Sequence, residues 1–78
     1  PDGVVFLGSI VRLKNLTTER EGRYMLVGES TGSFDLDYME VTSNSELGMS
    51  ILKARVGDTV GVNLPAGRTE FEILSIED

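Results

Sequence analysis

The sequence contains no cysteine, no histidine and no tryptophan. Structural zinc sites use Cys or His ligands and disulfides need paired cysteines, so neither can stabilise this chain. Catalysis by a thiol or an imidazole is excluded for the same reason. The absence of cysteine fits a reducing compartment, and we therefore expect a cytoplasmic protein.

Long apolar segments are also missing. The longest uninterrupted apolar run covers residues 4–7, whereas a helix needs about 20 apolar residues to span a bilayer. No basic segment precedes this run, unlike the start of a secretory signal. We expect no membrane partner.

Positive charge is scarce: seven Lys and Arg face thirteen Asp and Glu, for a net charge of −6. Proteins that bind nucleic acid concentrate basic residues on one face, whereas here they are spread along the chain. The composition therefore predicts no direct nucleic-acid binding. A protein partner with a basic surface fits this charge better.

A chain of 78 residues with 40% hydrophobic residues can form one globular core. We expect a single domain over residues 1–78. The chain begins with Pro1 instead of methionine, so either a leading methionine has been removed or the chain is a piece of a longer protein.

Turn-forming clusters divide the sequence into segments of strand length. Alternation of apolar and polar residues predicts five strands, at residues 9–14, 23–29, 34–42, 59–64 and 69–76. The alternation changes phase after Tyr38, which suggests a β-bulge or a two-sided strand, and again after Ile73. Pro65 and Gly67 favour a tight hairpin between the last two strands.

One helix is predicted, at residues 45–53, because Leu47 and Ile51 form an apolar stripe at helical spacing. Two N-caps compete for its start. Ser43 could form a capping box with Glu46, or Ser45 could cap the helix.

Two basic residues, Lys53 and Arg55, follow the predicted helix and suit its negative C-terminal end. Five strands and one short helix without a βαβ rhythm predict an α+β fold. We expect an antiparallel sheet with the helix packed across one face.

Asp35 and Asp37 lie two residues apart and would share one strand face. Two carboxylates do not make a calcium or magnesium site, and no further acidic cluster follows at ligand spacing. A solvated strand face explains them better. The residues alone therefore predict no enzyme, no metal and no cofactor.

Several segments, taken together, carry a family resemblance. Residues 45–58 (Ser-Glu-Leu-Gly-Met-Ser-Ile-Leu-Lys-Ala-Arg-Val-Gly-Asp) resemble a pattern in the C-terminal domain of the bacterial transcript-cleavage factors GreA and GreB. Pro-Ala-Gly at 65–67 and Glu-Phe-Glu-Ile-Leu at 70–74 are similar to the closing hairpin of that family. Residues 8–16 are similar to the family's pattern Gly-Ala-Thr-Val-x-Leu-x-Asn-Leu, and residues 24–29 are similar to its pattern Tyr-x-Ile-Val-Gly-Glu. The resemblance extends from about Val5 to Ile76.

The resemblance implies an FKBP-like fold and a role in transcription elongation. Family members dock through this domain on the coiled coil of the β′ subunit, at the rim of the RNA polymerase secondary channel. A separate N-terminal coiled coil, with acidic residues at its tip, stimulates cleavage of backtracked RNA. The present sequence has no such coiled coil, so the resemblance implies an anchoring domain without catalytic activity.

The family's docking loop, an Asp/Asn-Ser-Pro segment, falls on Asn44, Ser45 and Glu46, and Leu47 follows. Glu46 stands where the family usually has proline, and Lys53 stands where many members have glycine. The simpler alternative is that Asn44 and Ser45 only cap the helix, although one segment can do both.

Three other functions compete with this one. A Gre-like paralogue, either an inhibitor or a Rnk-type regulator, would bind polymerase without stimulating cleavage. An FKBP-like peptidyl-prolyl isomerase is the remote alternative. Active members line a pocket with several aromatic residues, often with tryptophan at its base, whereas this sequence has three Phe, two Tyr and no Trp. The third alternative is an interaction module that binds some other protein. The sequence does not distinguish GreA from GreB.

Overall fold

The computed structural model describes residues 3–29 and 37–77. Within them lie five strands and one helix, as the sequence predicted. The elements are β1 (Ile10–Asn15), β2 (Glu21–Val27), β3 (Met39–Thr42), α1 (Glu46–Ile51), β4 (Thr59–Leu64) and β5 (Gly67–Glu77). The first part of the predicted third strand, residues 34–36, lies outside the described residues. None of the described helices is long and apolar enough to cross a membrane.

The five strands form one sheet in the order β3-β2-β1-β5-β4. Three neighbouring pairs are antiparallel, as predicted, but β2 and β3 run parallel. The predicted antiparallel pairing is therefore confirmed for three of the four neighbouring pairs and not for this one. Since β2 ends at Val27 and β3 begins at Met39, the chain must return between them to the end of the sheet at which β2 began.

The phase change near the end of the chain is a β-bulge in β5. Arg12 of β1 pairs with Ser75, but the next residue, Leu13, pairs with Ile73. Leu74 is therefore the extra residue, and the bulge returns Ile76 to the core side of the sheet. The hairpin predicted at Pro65 and Gly67 is present. Leu64, the last residue of β4, pairs with Gly67, the first residue of β5, and Gly67 takes a positive φ of 130°.

One hydrophobic cluster fills the space between the sheet and the helix. Its buried members are Val5, Val11, Leu13, Leu26, Ile51, Ala54, Val62, Phe71 and Ile73. Ile51 is fully buried and Leu47 packs against the cluster, so the predicted apolar stripe of α1 faces the core. The Ser50 hydroxyl donates to the Glu46 carbonyl within the helix at 2.8 Å, and its oxygen also lies 3.3 Å from the carbonyl oxygen of Gly61, so the helix packs against the edge strand β4.

The helix ends earlier than predicted. Its last residue is Ile51, and Leu52 is the C-cap, whose N–H donates to the Gly48 carbonyl. Lys53 therefore lies beyond the helix and takes a left-handed φ of 69°. The expected basic last turn is absent from α1.

Replacing Lys53 by glycine is expected to stabilise the protein by about 0.5–1 kcal/mol. A left-handed φ costs a residue with a Cβ about 1–2 kcal/mol, and the greater freedom of glycine in the unfolded chain offsets part of that gain. Thermal unfolding of Lys53→Gly measures the change. Lys53→Ala, which removes the charge but keeps the Cβ, is the control, and an equal gain in both variants would contradict the explanation from φ.

Candidate functional site: the loop between β3 and α1

Ser45 is the N-cap of α1, which decides between the two competing caps. Its backbone is extended (φ −82°, ψ 162°), and its hydroxyl accepts a hydrogen bond from the Gly48 N–H at 3.0 Å. The same hydroxyl donates to the Thr42 carbonyl at 2.7 Å. Both hydrogen-bonding functions of the side chain are thus used inside the loop, and Ser43 is not the cap.

The loop is pinned against the helix at Gly48, a buried glycine. A Cβ built on Gly48 would overlap the Thr42 carbonyl oxygen and would also lie 2.8 Å from the Thr42 carbonyl carbon. Only glycine permits this approach of the end of β3 to the helix. Sequence reasoning missed this role, although a glycine inside a helical pattern often marks a close packing contact.

The loop is also attached to the sheet. The Ser43 N–H donates to the Val27 carbonyl at 2.8 Å, one residue beyond the last paired position of β3. The Ser45 N–H donates to the Thr42 carbonyl at 3.1 Å, which closes the turn. These contacts fix the loop from both sides, so its exposed side chains project from a defined backbone.

The four predicted site residues are adjacent but differ in exposure. Asn44 and Glu46 are exposed, whereas Ser45 and Leu47 are half-buried. Leu47 packs against the core and Ser45 caps the helix, so both have structural roles. Asn44 and Glu46 present the side chains most accessible to a partner, and the Glu46 carboxylate also suits the positive end of α1.

The described residues contain no group of three or more His, Cys, Asp or Glu side chains placed to hold a metal ion. Of the Asp35 and Asp37 pair considered above, Asp35 lies outside the described residues. Asp37 is described, and the Arg23 guanidinium donates to its backbone carbonyl at 3.4 Å.

Known proteins are similar to this chain along nearly its whole length. The family described as "Transcription elongation factor, GreA/GreB, C-term" matches residues 1–78. The chain is 37% identical over 76 residues to the transcription elongation factor GreA of Yersinia pestis bv. Antiqua (strain Angola), which covers 97% of this chain and 47% of the relative. GreA of Acinetobacter baumannii (strain SDF) is 33% identical, with the same coverage.

Solved structures of related proteins have the same fold. The crystal structure of Thermus aquaticus Gfh1 superposes with a TM-score of 0.83 and 29% identity, over 99% of this chain and 50% of that one. The chain thus spans about half the length of the relatives that it matches. The family match covers every residue, so the chain belongs to the GreA/GreB C-terminal domain family of transcription elongation factors.

Proposed function

We propose that this chain is the RNA polymerase-binding domain of a Gre-type elongation factor. Residues 1–78 would form the C-terminal domain of a longer cytoplasmic protein, and the domain would catalyse no reaction itself. It would anchor the factor on the β′ coiled coil at the rim of the secondary channel. An N-terminal coiled coil could then reach the channel and stimulate cleavage of backtracked RNA.

The exposure of Asn44 on a fixed loop is the observation that carries this proposal. The family's docking segment falls on residues 44–47, and Asn44 is exposed and has no role in the core or in the helix cap. A loop whose backbone is already fixed avoids the entropy cost of ordering that backbone when it binds. The surplus of acidic residues also fits a partner with a basic surface.

Asn44→Arg is expected to weaken binding to core RNA polymerase by about tenfold or more, because a long cation would block the docking loop. Asn44 tolerates this change because it is exposed and has an ordinary φ, whereas a substitution at Ser45 would remove the helix cap. Fluorescence anisotropy of the labelled chain measures the affinity. Thr17→Arg adds the same charge at an exposed position after β1 and is expected to bind normally. Equal affinity of both variants and the unsubstituted chain would refute the docking role of Asn44.

The second candidate is a Gre-like paralogue that binds polymerase without stimulating cleavage. Similarity to Gfh1, which is described as a GreA factor homolog, supports this candidate. Both candidates use the same polymerase-binding domain. They differ in what the complete protein does to a backtracked complex, so a transcript-cleavage assay with the complete protein distinguishes them.

A further inference from the structure

β4 is one of the two edges of the sheet, and its own sequence leaves that edge unprotected. Edge strands usually carry a charged residue, a proline or a bulge that discourages pairing with another chain. β4 consists of Thr-Val-Gly-Val-Asn-Leu, which contains no charge and no proline, and its register with β5 is unbroken from Thr59 to Leu64. The other edge strand, β3, is only four residues long and includes Glu40. β4 is therefore the edge that another strand could extend.

The hydrogen bonds of the β4–β5 pair show which residues of β4 face outward. In an antiparallel pair, every second residue bonds to the neighbouring strand. The Ile73 N–H donates to the Asp58 carbonyl at 2.9 Å, so Asp58 and every second residue after it face β5. Thr59, Gly61 and Asn63 therefore direct their backbone N–H and C=O groups away from β5, towards the open edge.

Gly61, in the middle of this edge, is covered by two side chains. On its outward side, the Ser50 hydroxyl oxygen of α1 lies 3.3 Å from the Gly61 carbonyl oxygen. On the face opposite the core, the Arg68 guanidinium lies over the glycine. A Cβ built on Gly61 would lie 2.6 Å from the guanidinium carbon, and its three nearest atoms all belong to Arg68. The guanidinium fits there only because residue 61 has no side chain.

No hydrogen bond or ion pair within the described residues accounts for this position of the Arg68 guanidinium. The ion pairs found there join Arg12 to Glu21 and Arg23 to Glu77. Glu70, two residues from Arg68 on the same face of β5, forms no ion pair with it. Arg68 is exposed, so its guanidinium places an unpaired positive charge at the edge of the sheet.

We propose that Arg68 and Ser50 prevent β4 from pairing with β4 of a second copy of this chain. The antiparallel pairing that uses all three outward residues is centred on Gly61, which would lie opposite Gly61 of the second copy. Thr59 would then lie opposite Asn63 of the second copy. Because β4 is uncharged, the strand itself places no like charges opposite each other in this pairing. The protection must therefore come from side chains outside β4.

Arg68 opposes the pairing by its charge, and Ser50 by its position. Residues that exchange two hydrogen bonds across an antiparallel pair have Cα atoms about 5.5 Å apart. Pairing centred on Gly61 would bring two Arg68 guanidinium groups, one over each glycine, to about this separation, and like charges placed opposite each other destabilise paired strands. The Gly61 carbonyl would also have to leave the Ser50 hydroxyl. The chain is therefore expected to remain monomeric in spite of its uncharged edge strand.

Sedimentation velocity over a range of protein concentrations tests the inference. The unsubstituted chain is expected to be a monomer, and Ser50→Ala/Arg68→Ala, which removes both side chains, is expected to dimerise with an association constant about tenfold or more higher. Net charge alone predicts the opposite change, because loss of Arg68 makes a chain of charge −6 one unit more negative. Arg68→Ala alone, which leaves α1 unchanged, should dimerise more weakly than the double variant. Monomers in both variants would overturn the inference.

Ser50→Ala/Arg20→Ala is the matched control, since it has the same net charge but removes an exposed arginine between β1 and β2. It should remain a monomer, and equal dimerisation of the two double variants would overturn the role of Arg68. Adding Gly61→Lys to Ser50→Ala/Arg68→Ala places a positive charge on β4 itself and should restore the monomer. A dimer that persists in this triple variant would overturn the assignment of the contact to β4.

Discussion

Gly48→Ala is expected to lower the free energy of unfolding by about 3 kcal/mol. In an isolated helix the same change would stabilise by about 1 kcal/mol, because alanine is the better helix former. Here the new Cβ would overlap the Thr42 carbonyl oxygen, a backbone atom that cannot rotate away. Either the end of β3 or the helix must move, so the clash decides the sign.

Thermal denaturation followed by circular dichroism measures this effect, and we expect the midpoint to fall by about 15 °C. Gly28→Ala is the matched control, because a Cβ at Gly28 meets no atom of the described residues within 4 Å and its φ is not left-handed. That variant should unfold at nearly the same temperature as the unsubstituted chain. An unchanged or higher midpoint for Gly48→Ala would show that the loop does not rest on the helix as described.

Val62→Asp is expected to remove a large part of the free energy of unfolding of the chain. Val62 is 1% exposed and belongs to the core cluster. The change removes a buried apolar side chain and places a carboxylate within the apolar core cluster, for a combined cost of about 5 kcal/mol or more. A domain of this size has a total stability of about 4–12 kcal/mol.

The neighbouring residue provides the control for this second variant. Asn63 is exposed in the same strand and lies opposite Arg68, so Asn63→Asp adds the same charge beside a cation. Its stability should stay within about 0.5 kcal/mol of the unsubstituted chain. Far-ultraviolet circular dichroism and urea denaturation compare the two variants. A cooperative transition of normal midpoint in Val62→Asp would contradict the assignment of Val62 to the core.

Local patterns predicted the elements of the fold well. Alternation placed the strands, and the apolar spacing of Leu47 and Ile51 placed the helix and its buried face. The direction of β3 was not predictable in this way, because alternation defines which face a side chain occupies and not which way a strand runs. The end of the helix was also missed, since Lys53 takes a left-handed φ that glycine would normally signal.

The candidate site was only partly predictable from the sequence. The resemblance placed the docking loop at residues 44–47, but it did not separate the exposed Asn44 from Ser45, which is occupied in capping. Two turns from distant parts of the chain meet beside the end of β2. Only the pairing of β2 with its two neighbours brings Leu7 and Asn44 to the same end of the sheet.

Titration of this chain against the isolated β′ rim coiled coil, at two salt concentrations, tests the central claim most directly. The proposed function predicts saturable binding that weakens at the higher salt concentration and is lost in Asn44→Arg. In the same titration with core RNA polymerase, the unsubstituted chain should again bind more tightly than Asn44→Arg, and more tightly at the lower salt concentration. Absence of binding to both, by a chain that shows a cooperative thermal transition, would contradict the assignment of this domain as a polymerase anchor.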